Sequence, residues 1–113
     1  MEVRATAKFI RSSPRKVRLV LDVVRGKQAT EALAMLKFMP QAAARDVTAV
    51  VASAVANAEN NFQMAPADLV IKRIYADKGP IFKRYREKAR GQGTRILKRT
   101  SHITVVVEEM EEI

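Results

Sequence analysis

Thr100-Ser101-His102 sets two hydroxyls beside the only imidazole of the chain. These are the groups of nucleophilic hydrolysis, in which an imidazole takes the proton of an attacking hydroxyl. The spacing argues against that chemistry. Residues 102–107 read as a strand, and neighbours in a strand point to opposite faces, so Ser101 and His102 should not meet. His102 is expected to serve the structure or to face RNA. Other catalytic parts are missing. Cys is absent, which removes a thiolate nucleophile and cysteine-ligated zinc. One His excludes a His-rich metal site. No Walker sequence, no GxGxxG and no carboxylate pair with acid/base spacing occurs. The expectation is a protein that is no enzyme and uses no cofactor and no metal. Glu108, Glu109, Glu111 and Glu112 read as a solvated, frayed tail rather than a cation site.

The chemistry that the side chains do offer is anion binding. Lys and Arg number 21 against 12 Asp and Glu, a net charge of +9. Residues 1–27 carry +6, residues 28–77 carry −1, residues 78–99 carry +8, and residues 100–113 carry −4. A nearly neutral, Ala/Val-rich middle thus separates two basic devices, a pattern that points to an anionic partner. In the first device Arg11, Arg15, Lys16, Arg18, Arg25 and Lys27 meet almost no acid. In the second, nine cations meet only Glu87 over 22 residues. Phe82 and Tyr85 are interleaved among them, placed either to stack on unpaired bases or to pack against an opposite strand.

The elements that must position these residues follow from periodicity. Residues 2–9 alternate, with Val3, Ala5, Ala7 and Phe9 apolar, as in a half-buried strand. Ser13 is a good N-cap with Pro14 at the first helical position, and Gly26 supplies the stop. Between them Val17, Val20, Leu21 and Val24 form an apolar stripe, and Arg15, Arg18, Asp22 and Arg25 fall on the opposite side. The free N–H groups at such a helix start suit phosphate oxygens. A second helix is expected over 29–38, with Ala32, Leu33 and Leu36 inward. The longest run, from Gln41 to about Asn60, places Val47, Val50, Val51, Ala54, Val55 and Ala58 in the core. It ends in Asn57, Asn60 and Asn61, which either contact RNA or cap the helix. Leu69–Tyr75 and His102–Val107 read as strands. Between them the basic block, centred on Gly91-Gln92-Gly93, reads as a hairpin. At ~3.3 Å per residue its arms reach ~50 Å, well beyond a domain of ~13 Å radius of gyration. It should protrude and, with like charges repelling, order fully on an anionic partner.

A chain of 113 residues and 12.6 kDa is one domain with one small core. The expected fold class is α+β, three helices packed on a small antiparallel sheet with a long protruding β-hairpin. The globular part is expected at about 1–76 and 102–113, and the hairpin at about 77–101. No apolar run approaches the ~18–20 residues of a membrane span, and the start lacks the pattern of a secretory signal. The expectation is a soluble intracellular protein.

Four stretches also carry a family resemblance: Ser13-Pro14-Arg15-Lys16-Val17-Arg18-Leu19-Val20 with Arg25-Gly26-Lys27; Ser53-Ala54 with Ala56-Asn57-Ala58 and Asn60-Asn61; Ala76-Asp77 with Gly79-Pro80; and Ile96 through Val105. In order and spacing they resemble the bacterial large-subunit ribosomal protein L twenty-two family over essentially residues 3–107. The resemblance implies a structural component of the large ribosomal subunit and not an enzyme. It implies a protein that binds large-subunit rRNA, bridges several rRNA domains early in assembly and lines the nascent-peptide exit tunnel with its hairpin. The partners implied are rRNA, neighbouring proteins including ribosomal protein L four, and the nascent polypeptide, with the protein a monomer within the ribosome.

Carried over, Arg11, Ser13, Arg15, Lys16, Arg18, Arg25 and Lys27 would form the rRNA surface of the domain. Lys83, Arg84, Arg86, Arg95, Lys98, Arg99, Thr100, Ser101 and His102 would lie on the hairpin arms. Glu87, Lys88, Ala89, Arg90, Gly91, Gln92 and Gly93 would form the tunnel-facing tip. The tip departs from the family pattern: Glu87 stands for a Pro, Lys88 and Gln92 for Arg, and Gly93 for Ala. The change implies a more mobile tip, less tightly held by rRNA. Two rival readings are a DNA-binding architectural protein, which would need a wedge side chain that Arg90-Gly91-Gln92-Gly93 lacks, and a hydrolase using His102.

Overall fold

The computed structural model describes residues 2–87 and 93–109, with side chains for residues 2–81 and 98–109. Alternation at the start builds strand β1 (Glu2–Ile10), with Val3 and Ala5 buried. Helix α1 (Pro14–Val24) begins at the Ser13 N-cap and buries Val17, Val20, Leu21 and Val24. It stops at Gly26, whose φ of +79° is a left-handed conformation that suits a residue without Cβ. Helix α2 (Ala29–Lys37) buries Ala32 and Leu36 and leaves Leu33 half-buried. Helix α3 (Ala43–Phe62) buries each of the six core residues expected of it. A short 3-10 turn at Pro66–Asp68 leads into β2 (Leu69–Lys78). Strands β3 (Phe82–Glu87) and β4 (Gly93–Lys98) form the ribbon, and β5 (Ser101–Glu109) returns to the domain.

The sheet order is β1-β5-β2, antiparallel throughout, with β3-β4 a separate two-stranded sheet. The α+β expectation holds: α3 packs on β1 and β5, α1 on β2 and α3, and α2 on α3. One core joins Val20 and Leu21 of α1, Val47, Val51 and Ala54 of α3, and Ile71, Ile74, Ile103 and Val105 of the sheet. Small Ala side chains on α3 let helices and sheet approach closely. The radius of gyration is 17.2 Å and the extents are 68 × 25 × 19 Å. Both exceed what a compact chain of this length gives, ~13 Å in radius of gyration, as a protruding ribbon requires.

Four expectations need correction. Phe9 was assigned to the buried side of β1, yet it is 57% exposed. The β1–β5 register shifts between Ala7 and Ile10, and Phe9 takes φ +60° within that bulge, which breaks the alternation. Glu108 and Glu109 are no tail, since both lie in β5 opposite Val70 and Leu69. The last helix runs past Asn60 and Asn61 to Phe62, and the left-handed residue that ends it is Gln63. Finally, the hairpin is not one continuous ribbon. Asp77 and Lys78 still pair with His102 and Ser101 in the main sheet, and the ribbon starts at Phe82↔Lys98.

Glu108 also joins an ion-pair cluster. Lys72 bonds Glu2 at 2.6 Å and Glu108 at 3.3 Å, and Arg73 bonds the other oxygen of Glu2 at 2.8 Å, so the cluster ties all three strands. The Lys72 hydrogen bond, aided by Arg73, holds the Glu2 carboxyl below the usual carboxylate range. Glu2 and Glu108 in turn raise Lys72. The Glu2 contribution is therefore present above the ordinary carboxylate range and is lost as pH falls through its lowered folded value. The Lys72 contribution is full below the ordinary lysine range and is lost as pH rises through its raised folded value. Glu2→Gln should melt slightly below the wild type at pH 7. The gap should close below about pH 4, near the unfolded carboxylate range, when both are followed by thermal circular dichroism.

Candidate nucleic-acid interface

The link from β1 to α1 is Arg11-Ser12-Ser13, and the link from β4 to β5 is Arg99-Thr100. Pairing of Ile10 with Ser101 brings these two links side by side. Between them and the start of α3 opens a cleft of about 1060 Å³. Among the described residues its walls carry four cations, Arg11, Lys16, Lys98 and Arg99, and no acid. Leu19, Gln41, Ala42 and Ala43 complete it with Ser12, Ser13 and Thr100. Two helices begin here, since Ser13 caps α1 and Ala42 precedes α3, and neither N-terminus has a side-chain cap bond. Helix starts present unpaired N–H groups and a partial positive charge. Four cations and two helix starts around one opening offer the groups that an extended polyanion such as a phosphodiester backbone would need.

The expected arginine face divides. Arg15 and Lys27 are exposed outside the cleft, whereas Arg18 and Arg25 turn to the outer edge of β2. One Nη of Arg18 donates to the Ala76 carbonyl at 2.9 Å, and one of Arg25 donates to the Ile74 carbonyl at 3.1 Å. Arg25 also pairs with Asp22. The Ile71 N–H donates to the Lys27 carbonyl at 2.9 Å, and the Gln28 amide donates to the Ala67 carbonyl. The bonds to Ala76, Ile74 and Ile71 occupy the backbone edge of β2, which would otherwise be open to another strand. Arg18 and Arg25 thus fasten α1 to the sheet.

Thr100 and Ser101, expected on an RNA-facing arm, are 1% and 0% exposed. Their hydroxyls donate at 2.6 Å to the Pro80 and Ser12 carbonyls, so they are spent inside the chain. His102 is half-buried on the other side of β5. Its Nδ1 accepts the Phe9 N–H at 3.1 Å, and its ring meets the Phe9 ring edge-on at a centroid distance of 5.1 Å. An imidazole that accepts at Nδ1 keeps its proton on Nε2. Ser101 and His102 face apart, as the alternation requires, and form no catalytic pair.

On the ribbon the backbone register sets Phe82 opposite Lys98, Lys83 opposite Leu97, Arg84 opposite Ile96, Tyr85 opposite Arg95 and Arg86 opposite Thr94. No cation stands directly opposite another among the described pairs. Glu87 and Gly93 pair as the last described residues. The rest of the tip, Lys88, Ala89, Arg90, Gly91 and Gln92, lies outside the described residues, as do Glu111 and Glu112. The cleft wall from α3 was not anticipated. Pro40 signals a helix start there, but no sequence feature says that this end lies beside α1.

These parts define a class, a small α+β domain with a cationic cleft and a basic two-stranded ribbon. Residues 5–108 match the family described as Ribosomal protein L22p/L17e, and the chain belongs to that family. It is 54% identical to "Large ribosomal subunit protein uL22" of Herpetosiphon aurantiacus over 98% of either chain. It is 55% identical to the protein of that name from Chloroflexus aggregans over 96% of either chain. Identity to the one from Roseiflexus castenholzii is 52% over both full lengths.

The divided arginine face gives a discriminating prediction. Arg18→Met should lower unfolding stability by about 1 kcal/mol, the worth of a typical intramolecular hydrogen bond. Lys16→Met, on the cleft, should leave stability within about 0.5 kcal/mol of wild type. Urea titration of both variants checks this.

Proposed function

We propose that this protein is a structural component of the large ribosomal subunit and works by electrostatic scaffolding of rRNA. Cations of the cleft and the ribbon neutralise phosphates where separate rRNA segments converge, and counterion release drives the binding. The observation that carries this reading is the cleft at the root of the ribbon, with four cations, two helix starts and, among the described residues, no acid. Family membership and the names of the relatives support the ribosomal setting. On this reading the cleft holds rRNA at the domain, the ribbon carries further cations into folded RNA, and its tip lines the nascent-peptide exit tunnel beside ribosomal protein L four, within reach of the nascent polypeptide. The protein bridges rRNA domains early in assembly, acts as a monomer within the cytoplasmic ribosome, and catalyses no reaction. Among the described residues no helix is long and apolar enough to cross a membrane.

Filter binding of large-subunit rRNA over a salt series tests the reading. With about eight cations of the cleft and the ribbon on phosphates, log K should fall against log[salt] with a slope of roughly −6 to −7. Replacing Arg11, Lys16, Lys98 and Arg99 together by Gln should flatten that slope by about 3. A wild-type slope near −2, or equal affinity for duplex DNA, contradicts the reading.

A further inference from the structure

The ribbon is fastened to the domain in an unusual way. The main sheet ends at Lys78↔Ser101 and the ribbon begins at Phe82↔Lys98, which leaves Gly79-Pro80-Ile81 facing Arg99-Thr100 across a gap in the ladder. A two-stranded ribbon joined through such a gap is free to pivot unless something braces it. Here two hydrogen bonds do so, and a third ties the start of β5 to the link between β1 and α1. The Gly79 N–H donates to the Thr100 carbonyl at 3.0 Å. The Thr100 hydroxyl donates to the Pro80 carbonyl, and the next hydroxyl, Ser101, donates to the Ser12 carbonyl, each at 2.6 Å. A Cβ at position 79 would overlap the Thr100 hydroxyl and lie 3.2 Å from His102 Cε1. Glycine is needed here for close approach. Ser12 and Thr100 also line the cationic cleft, so the groups that brace the ribbon belong to the wall of the cleft.

We propose that Gly79, Thr100 and Ser101 are positioning residues for RNA binding. They lock the ribbon at a fixed angle to the cleft, so that the two basic surfaces meet a folded RNA as one pre-organised unit. The inference rests on the RNA-binding reading above. A ligand that spans both surfaces then pays no ordering cost for the joint. Loosening the joint adds that cost to the complex without removing a phosphate contact. Affinity falls while the salt slope, which counts phosphate contacts, stays the same. Loss of a phosphate-binding group would change both.

Thr100→Val keeps the shape and removes the hydroxyl, and Thr100→Ser keeps the hydroxyl. Full-length variants are compared by rRNA affinity over a salt series and by amide hydrogen exchange, with Val51 in α3 as the folding control. Thr100→Val should bind roughly five- to ten-fold more weakly, the factor for one unmet buried hydrogen bond, at an unchanged slope. Its Gly79 amide should exchange faster while the Val51 amide stays protected, and Thr100→Ser should restore both. If Thr100→Val also lowers Val51 protection, Gly79→Ala, which pushes on the joint from the other side, takes its place with the same expectation. Wild-type affinity in the loosened variant overturns the proposal, as does a weakening that comes with a flatter slope or is not restored by Thr100→Ser. If the wild type itself binds no rRNA, the RNA-binding reading fails and takes this proposal with it. If the wild type binds and the loosened variant binds equally, only the positioning role fails.

Discussion

Thr100, Ser101 and His102 stand at the start of the central strand, and each closes onto a different joint of the chain. Thr100 reaches the turn that leads into the ribbon, Ser101 the link from β1 to α1, and His102 the bulge of β1. Side-chain alternation along one strand makes this possible, because it sends Ser101 and His102 to opposite faces. The helix start at Ser13, the base of the ribbon and the bulged end of β1 are therefore all referred to one point. The cleft lies at that point. Without this junction the two basic devices of the sequence would be two separate charged segments.

The electrostatics follow the same division. The neutral core, with its Ala-rich α3, supplies the stability of a small domain without needing a buried charge. Acids and cations that pair do so away from the cleft, as in the Glu2–Lys72–Glu108 cluster at one end of the sheet and the Arg25–Asp22 pair on α1. Arg18 and Arg25 meet backbone carbonyls of an edge strand. Arg11, Lys16, Lys98 and Arg99 share a cleft with no acid among the described residues of its walls. Such a concentration of like charge costs stability in the free protein. An anionic partner recovers that cost on binding.

Most elements were legible because the core is built on regular spacing. Val17, Val20, Leu21 and Val24 gave the buried face of α1, and Ser13-Pro14 and Gly26 gave its ends. The six inward residues of α3 were equally plain. Legibility failed where tertiary contacts override local pattern. The bulge at Phe9 is held by His102, 93 residues away, and no alternation rule contains it. The continuation of β5 through Glu108 lies in its pairing with Glu2 and Val70, on strands distant in sequence. The spacing shows the arginine stripe of α1, but that Arg18 and Arg25 meet β2 while Arg15 stays exposed outside the cleft depends on how the helix docks. Thr100 and Ser101 look like polar surface residues in sequence, and only the pairing of Ile10 and Lys78 with Ser101 encloses them.

The central claim is that this chain is held in the large ribosomal subunit by its contacts with rRNA. The most direct measurement is sedimentation of a cell lysate through a gradient at high salt, with this protein followed across the fractions. Migration with the large subunit, and absence from the small subunit and from bulk DNA, is the predicted result. Recovery as free protein, or with DNA, would contradict the account.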